Sequence, residues 1–264
     1  MVLPRYAWQR LYEQRLVLLL TVVSFIWPLL CAGFIYLTNH VELLQGLDKD
    51  FLAFIQVNGT FFSIFMYVQG GFAVFLAALA GPSLIAPDLT NNALPLYFSR
   101  PLTRWSYALA RLTVIVGMLS VVTWIPGLIL FGLQVGLAGG WWFLANWTLG
   151  VAIVVGFLVW LLILSLVAMA ASAYVKWRIV AGAVSLAVFF ILAGVSTMID
   201  NVFRVTWGHI IDPAFSVNQV WRTLLGVELP DGPGAGASML SLAVFVLLLV
   251  AVIERKLRPV EVVR

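Results

Sequence analysis

Charge is what this 264-residue sequence has least of: Lys, Arg, Asp and Glu make up 10% of it, where an average soluble domain carries roughly 25%. With 63% hydrophobic residues and a mean hydropathy of +1.06, the chain has too few polar side chains to cover a water-soluble fold. Nucleic-acid binding is excluded with it, because that needs a clustered basic face on a soluble module. Cysteine is nearly absent too. The one present, Cys31, lies inside an apolar run, which rules out an intrachain disulfide or a Cys-based metal site and marks Cys31 as a packing residue. Histidine occurs twice, as His40 and His209, with no partner at metal-ligand spacing, so no metal is expected. No G-x-x-x-x-G-K-[ST] phosphate loop occurs, and ATP cannot be bound and split by that route. No Asp, Glu, Lys or His lies near the middle of any long apolar run, and Arg111 is close enough to one end to snorkel. That argues against proton-coupled transport and intramembrane hydrolysis, so the chain is not expected to be an enzyme by itself. Asn58-Gly59-Thr60 and Asn146-Trp147-Thr148 fit the glycosylation triplet, a pattern that arises often by chance and matters only in a secretory pathway.

Long apolar runs are what the sequence has. They cover about Leu16 to Leu37, Thr60 to Ala86, Trp105 to Leu133, Trp142 to Ala173, Ile179 to Ile199 and Ala237 to Ile253. A bilayer crossing takes about 20 residues of helix, and a lipid environment requires every backbone polar group to be satisfied internally. The expected fold is all-α: one polytopic membrane domain over residues 1–264 with six transmembrane helices. Charge placement supports the count. Arg5, Arg10 and Arg15 precede the first run; Arg100, Arg104 and Arg111 flank the start of the third. Lys176 and Arg178 join the fourth and fifth, and Arg255, Lys256, Arg258 and Arg264 follow the sixth. Twelve of the fifteen basic residues thus fall on one side, leaving Lys49, Arg204 and Arg222 on the other. By the positive-inside rule the first side, with both termini, is cytoplasmic.

Two segments outside the runs have structure of their own. Arg5, Tyr6, Trp8, Arg10, Leu11, Tyr12 and Arg15 suit an amphipathic helix over residues 1–15, lying at the lipid headgroups; an ordinary basic flank is the plainer alternative. The outer connection over residues 200–236 is unusually apolar, with Val202, Phe203, Trp207, Phe215, Val217 and Trp221 among its residues. One or two short helices lying at, or dipping into, the outer leaflet are expected there, ending at Pro230, Gly232, Pro233, Gly234 and Gly236. Trp141 and Trp142 read as interface belt residues.

The connection between the second and third runs is the most informative stretch. Asp88 suits a helix N-terminus, where the dipole and exposed N–H groups favour it, Leu89, Leu94, Leu96, Tyr97 and Phe98 offer an apolar side, and Pro95 and Pro101 limit the element's length. A short, partly apolar element with arginines reads as a docking surface; the alternative is a loop held only by its own spans.

The order G-x-x-x-I-A-x-D-x-x-x-x-A-L-x-L-x-x-S-R-P-L-T-R-x-x-Y, with Asp88, Ser99, Arg100, Pro101, Leu102, Thr103, Arg104 and Tyr107, resembles the membrane subunits of type-2 exporter-class ABC transporters. The resemblance implies a permease that moves a substrate by alternating access, powered by a separate ATP-binding subunit that holds ATP and Mg. Residues 87–104 would then be the cytoplasmic coupling segment, with Asp88, Asn91, Asn92, Leu94, Tyr97, Ser99, Arg100, Pro101 and Arg104 facing the ATPase. Lys176 and Arg178 would add a smaller contact. It further implies a second permease copy or paralogue, no cofactor in this chain, and multi-pass residence in a bacterial inner membrane among its lipids. These residues hold neither a fused nucleotide-binding domain nor a large outer domain, which is the stand-alone permease form. Substrate identity does not follow from the resemblance. Two other classes compete: a membrane anchor or scaffold subunit, and a channel or secondary carrier for a neutral substrate.

Overall fold

The computed structural model describes residues 14–40, 56–90, 104–175 and 177–257, and every regular element among them is helical. In chain order these are α1 (Arg15–Ser24), α2 (Ile26–Asn39), α3 (Gly59–Thr90), α4 (Arg104–Val122), α5 (Trp124–Ala138), α6 (Gly140–Tyr174), α7 (Arg178–Phe203), a 3-10 turn (Gly208–Ile211), α8 (Pro213–Leu224) and α9 (Ala235–Leu257). Six spans are long and apolar enough to cross a membrane: Arg15–Asn39, Gly59–Pro82, Ala108–Ala138, Gly140–Tyr174, Arg178–Phe203 and Ala235–Lys256. The protein is an all-α polytopic membrane protein. Observed and expected spans agree to within a few residues, because twenty apolar residues in a row leave the chain only one way to hide its backbone from lipid. The expected interfacial helix falls almost wholly on residues 1–13, outside the described residues.

Two spans are not single helices. Span one breaks at Phe25 between α1 and α2, and span three at Thr123 between α4 and α5. Each break lies three residues before a buried proline, Pro28 or Pro126. Proline has no N–H to offer the carbonyl four residues back, and its ring collides with that turn. Beyond each break the helix resumes in the same register, Leu29 N–H bonding Phe25 O at 3.2 Å and Gly127 N–H bonding Thr123 O at 3.2 Å.

Span four is the axle of the fold. Of its apolar window 67% is buried, against 28% for spans one and five and 17% for span six. A helix that is hydrophobic all round belongs in the interior, and α6 sets Ile153, Phe157, Leu161 and Leu164 against Phe62, Phe65, Met66 and Leu76 of α3. Lipid tails are as apolar as leucine, so burial alone does not bring membrane helices together; close packing of small residues does. At Gly81 an added Cβ would lie 2.4 Å from Ala168 Cβ, and at Gly182 one would lie 2.6 Å from the Ala78 carbonyl oxygen. These glycines let α3 meet α6 and α7 at backbone distance.

The apolar connection between spans five and six resolves into the 3-10 turn and α8. Pro213 at the first helical position and the Asp212 side chain, which accepts the Ala214 N–H at 2.9 Å, start α8. Its Val217, Val220 and Trp221 are buried, which accounts for the hydrophobic content. The Trp221 indole lies 5.5 Å from the Phe157 ring and 6.2 Å from the Trp160 ring. A Cβ on Gly70 or Gly156 would come within 2.7 Å of it. Since Gly70 lies eleven residues, about 16 Å, into α3 from Gly59, the ring reaches about half-way through a hydrocarbon core of roughly 30 Å.

Candidate functional site

The docking segment anticipated from sequence lies for the most part outside the described residues: Asn91, Asn92, Leu94, Tyr97, Ser99, Arg100 and Pro101 do, and so does Lys176. Its two ends are in place. Asp88 is not at a helix N-terminus as expected: α3 runs on through it from Gly59 to Thr90, which places it toward the C-terminal end, and α4 is described from Arg104. Arg178 opens α7, and its Nη2 donates to Gln14 Oε1 at the start of α1. Nearby in the sequence, the Tyr174 hydroxyl donates to the Val252 carbonyl at 3.3 Å and the Lys256 ammonium stands 5.2 Å from the Tyr174 ring centroid, a cation–π contact. The ends of spans one, four, five and six are therefore gathered on one face, the one with the basic termini. Arg178 is brought to the root of the basic N-terminal segment.

A second polar site, at mid-span, escapes a search for ionisable groups. Gln69 is 0% exposed. Its Nε2 donates to Ser24 O at 3.2 Å and also to Val122 O. These two carbonyls stand four residues before Pro28 and Pro126, so they are the pair that the prolines leave without a helical partner. An amide nitrogen has two N–H groups, and here both are used; carbonyl acceptors on that side also fix which end of the amide is nitrogen. Gln69 lies ten residues, about 15 Å, into α3 from Gly59, and Ser24 is the tenth of the 25 residues of its span. The hub therefore sits at mid-depth, where each unsatisfied carbonyl would cost several kcal/mol. Gln69 Oε1 and the indole nitrogens of Trp27 and Trp124, one beside each break, are buried and have no partner among the described residues. Beyond the breaks α2 and α5 pack on each other, and at their far ends Asn39 Nδ2 donates to Gln134 Oε1 at 2.8 Å. The signal in sequence was a lone glutamine in FMYVQGGFAV together with FIWP and TWIP in two other runs.

At the opposite face the Asp200 carboxylate joins the end of α7 to the 3-10 turn. One oxygen accepts the Gly208 N–H at 2.6 Å, and the other lies 2.5 Å from His209 Nδ1. Gly208 has no room for a side chain: a Cβ would lie 2.6 Å from Asp200 Oδ1 and from Ser196 O. His209 also meets the Phe215 ring edge-on at 4.5 Å. The histidine that looked isolated thus has a carboxylate partner nine residues earlier, across a reversal that begins at Arg204 with φ 51°. No group of three metal-ligating side chains occurs among the described residues.

Burial pushes the Asp212 carboxyl above its ordinary value, against the opposing pull of the Ala214 and Phe215 N–H groups and of His209. A carboxyl with a raised folded-state value disfavours folding when ionised. That penalty is full above the folded value, shrinks as pH falls through it, and is gone below the ordinary value near 3.8. Asparagine caps α8 equally well. Asp212→Asn is expected to keep or raise the unfolding midpoint at neutral pH and to flatten its rise as pH falls toward 3.8, as read by thermal unfolding in detergent at each pH. An unaltered pH profile would contradict the assignment.

A laterally open groove of about 340 Å³ runs between α6, α8 and α9, lined wholly by apolar side chains such as Val159, Leu162, Leu224 and Met239. It offers no polar group for recognition. Against known proteins, no family model matches the chain, and no curated protein matches it.

Proposed function

We propose that this chain is the permease subunit of an ATP-driven exporter of the type-2 ABC class, moving its substrate by alternating access powered by a separate ATP-binding subunit. On this reading the basic face is cytoplasmic, the membrane is a bacterial inner membrane, and residues 87–104 are the coupling segment. The observation that supports it most is the length of α3: its 32 residues, Gly59–Thr90, exceed the about 20 that a bilayer crossing takes. At 1.5 Å per residue α3 is about 48 Å long, so an extension of it outruns a hydrocarbon core of about 30 Å, and Asp88 lies two residues before Thr90. The segment leaves from that extension and returns at Arg104, the first residue of α4, so a push on it acts on spans two and three together. Lys176 and Arg178 give the smaller second contact, with Arg178 bonded to Gln14. A second copy or a paralogue completes the substrate path, in keeping with the low burial of spans one, five and six. ATP and Mg reside in the partner, whose closure biases inward against outward arrangements of the packed helices.

The test is purification of the chain from its native membrane in mild detergent. A stoichiometric companion carrying a phosphate loop and the ABC signature is expected, with ATP turnover that responds to a panel of lipids and amphiphiles. A chain that emerges alone while other membrane complexes stay intact would contradict the proposal.

A further inference from the structure

We infer that Gln69 is a releasable pin for a two-hinge gate: α2 and α5, the half-helices beyond the two proline breaks, swing as one body about Phe25 and Thr123. The inference is independent of the exporter reading, since it rests on the hub alone. Four observations lead to it. The two breaks are equivalent, each three residues before a buried proline, and each followed by a helix that resumes in the same register. A proline break leaves a helix able to bend there, because the bond that would hold the two halves in line is missing. Both missing bonds are replaced by donors on a single nitrogen, so neither break can change its angle far without disturbing the other's carbonyl. The half-helices beyond the breaks are also joined at their far ends by Asn39 and Gln134, which closes a loop from hinge to hinge. Motion of one half-helix alone would break both ties; motion of the pair breaks only the pin.

The orphan atoms give the pin somewhere to go. Buried polar groups in native proteins are nearly always bonded, and those that are not call for an explanation. Gln69 Oε1 and the Trp27 and Trp124 indole N–H groups are a spare acceptor and two spare donors, and the two indoles flank the hinges. A second arrangement, in which the two indole N–H groups take over the Ser24 and Val122 carbonyls from Gln69 Nε2, gives the gate a minor state in exchange with the pinned one.

The experiment measures distances between spin-label pairs in the full-length chain, in lipid nanodiscs, with Cys31→Ser as background. One pair is Leu37→Cys with Val195→Cys and the other Leu137→Cys with Val195→Cys; all three positions are exposed. Wild type is expected to show a second distance component of about 10% in both pairs. Pro28→Ala with Pro126→Ala restores the helical N–H to each carbonyl and should remove that component from both. Gln69→Leu should raise it in both by about tenfold or more relative to the pinned form, since both hydrogen bonds of the pin are lost. Stability supplies an independent check: Gln69→Leu should lower the unfolding midpoint by about 5 °C in wild type and leave it nearly unchanged in the Pro28→Ala, Pro126→Ala background. A single unvarying distance in all three proteins, or a response in only one pair, would overturn the gate even where the stability coupling is found.

Discussion

Reversing two charges, Arg100→Glu with Arg104→Glu, should leave the protein in its membrane and strip away the ATP-binding subunit proposed as its partner. Insertion should survive for two reasons. The same side of the chain keeps Arg5, Arg10, Arg15, Lys176, Arg178 and the four basic residues from Arg255 onward, more than enough to set orientation. The apolar runs that form the crossings do not include residues 100 and 104, so their insertion does not depend on these two charges. Binding should not survive. Removing a positive charge from a complementary interface weakens it, and installing a negative one adds repulsion, so two reversals are expected to lower affinity by at least about a hundredfold. Co-purification from equal amounts of membrane provides the comparison. Stoichiometric ATPase on the doubly reversed chain would remove residues 87–104 from the interface.

The second large effect is on stability. Trp221→Ala should destabilise the fold by about 3 to 5 kcal/mol, the usual range for truncating a buried aromatic residue. The ring fills the space left by two glycines, Gly70 on α3 and Gly156 on α6, and also packs on Phe157 and Trp160. Alanine would leave a cavity that rigid α-helices cannot close, because α3 and α6 are already held at backbone distance at Gly81 and Ala168. A drop of roughly 10 °C in the unfolding midpoint, with α8 the first segment to lose protection in hydrogen exchange, is the expected reading. Trp221→Phe should recover about half of the loss. A midpoint within a degree of wild type would show that α8 is not anchored by this residue.

The spans were legible because an apolar run of sufficient length has one outcome in lipid. The breaks were half legible. Pro28 and Pro126 are visible in the sequence, but nothing in their own runs tells that the two vacant carbonyls converge on one amide 41 residues beyond Pro28 and 57 before Pro126. A screen for charges at bilayer depth passes over Gln69, since a neutral amide there is satisfied by backbone rather than by a counter-ion. The connection between spans five and six was legible as helix through its apolar content. Its depth was not, because that is fixed by where Gly70 and Gly156 leave room for Trp221, and glycines in a long apolar run carry no label of the side chain they admit. His209 was read as solitary because its partner, Asp200, lies nine residues back, beyond the reach of helical or metal-ligand spacing. Of the docking segment, the sequence provides the residues and the structure provides the two ends, Asp88 and Arg104.

The account turns on which side of the membrane that segment faces. The direct measurement is labelling of Ser99→Cys, in the Cys31→Ser background, with a membrane-impermeant maleimide. A Glu228→Cys control marks the opposite face, where Glu228 is exposed. In intact cells the control should react and Ser99→Cys should stay unmodified; in inverted vesicles the pattern should reverse. Modification of Ser99→Cys from outside intact cells would contradict the account.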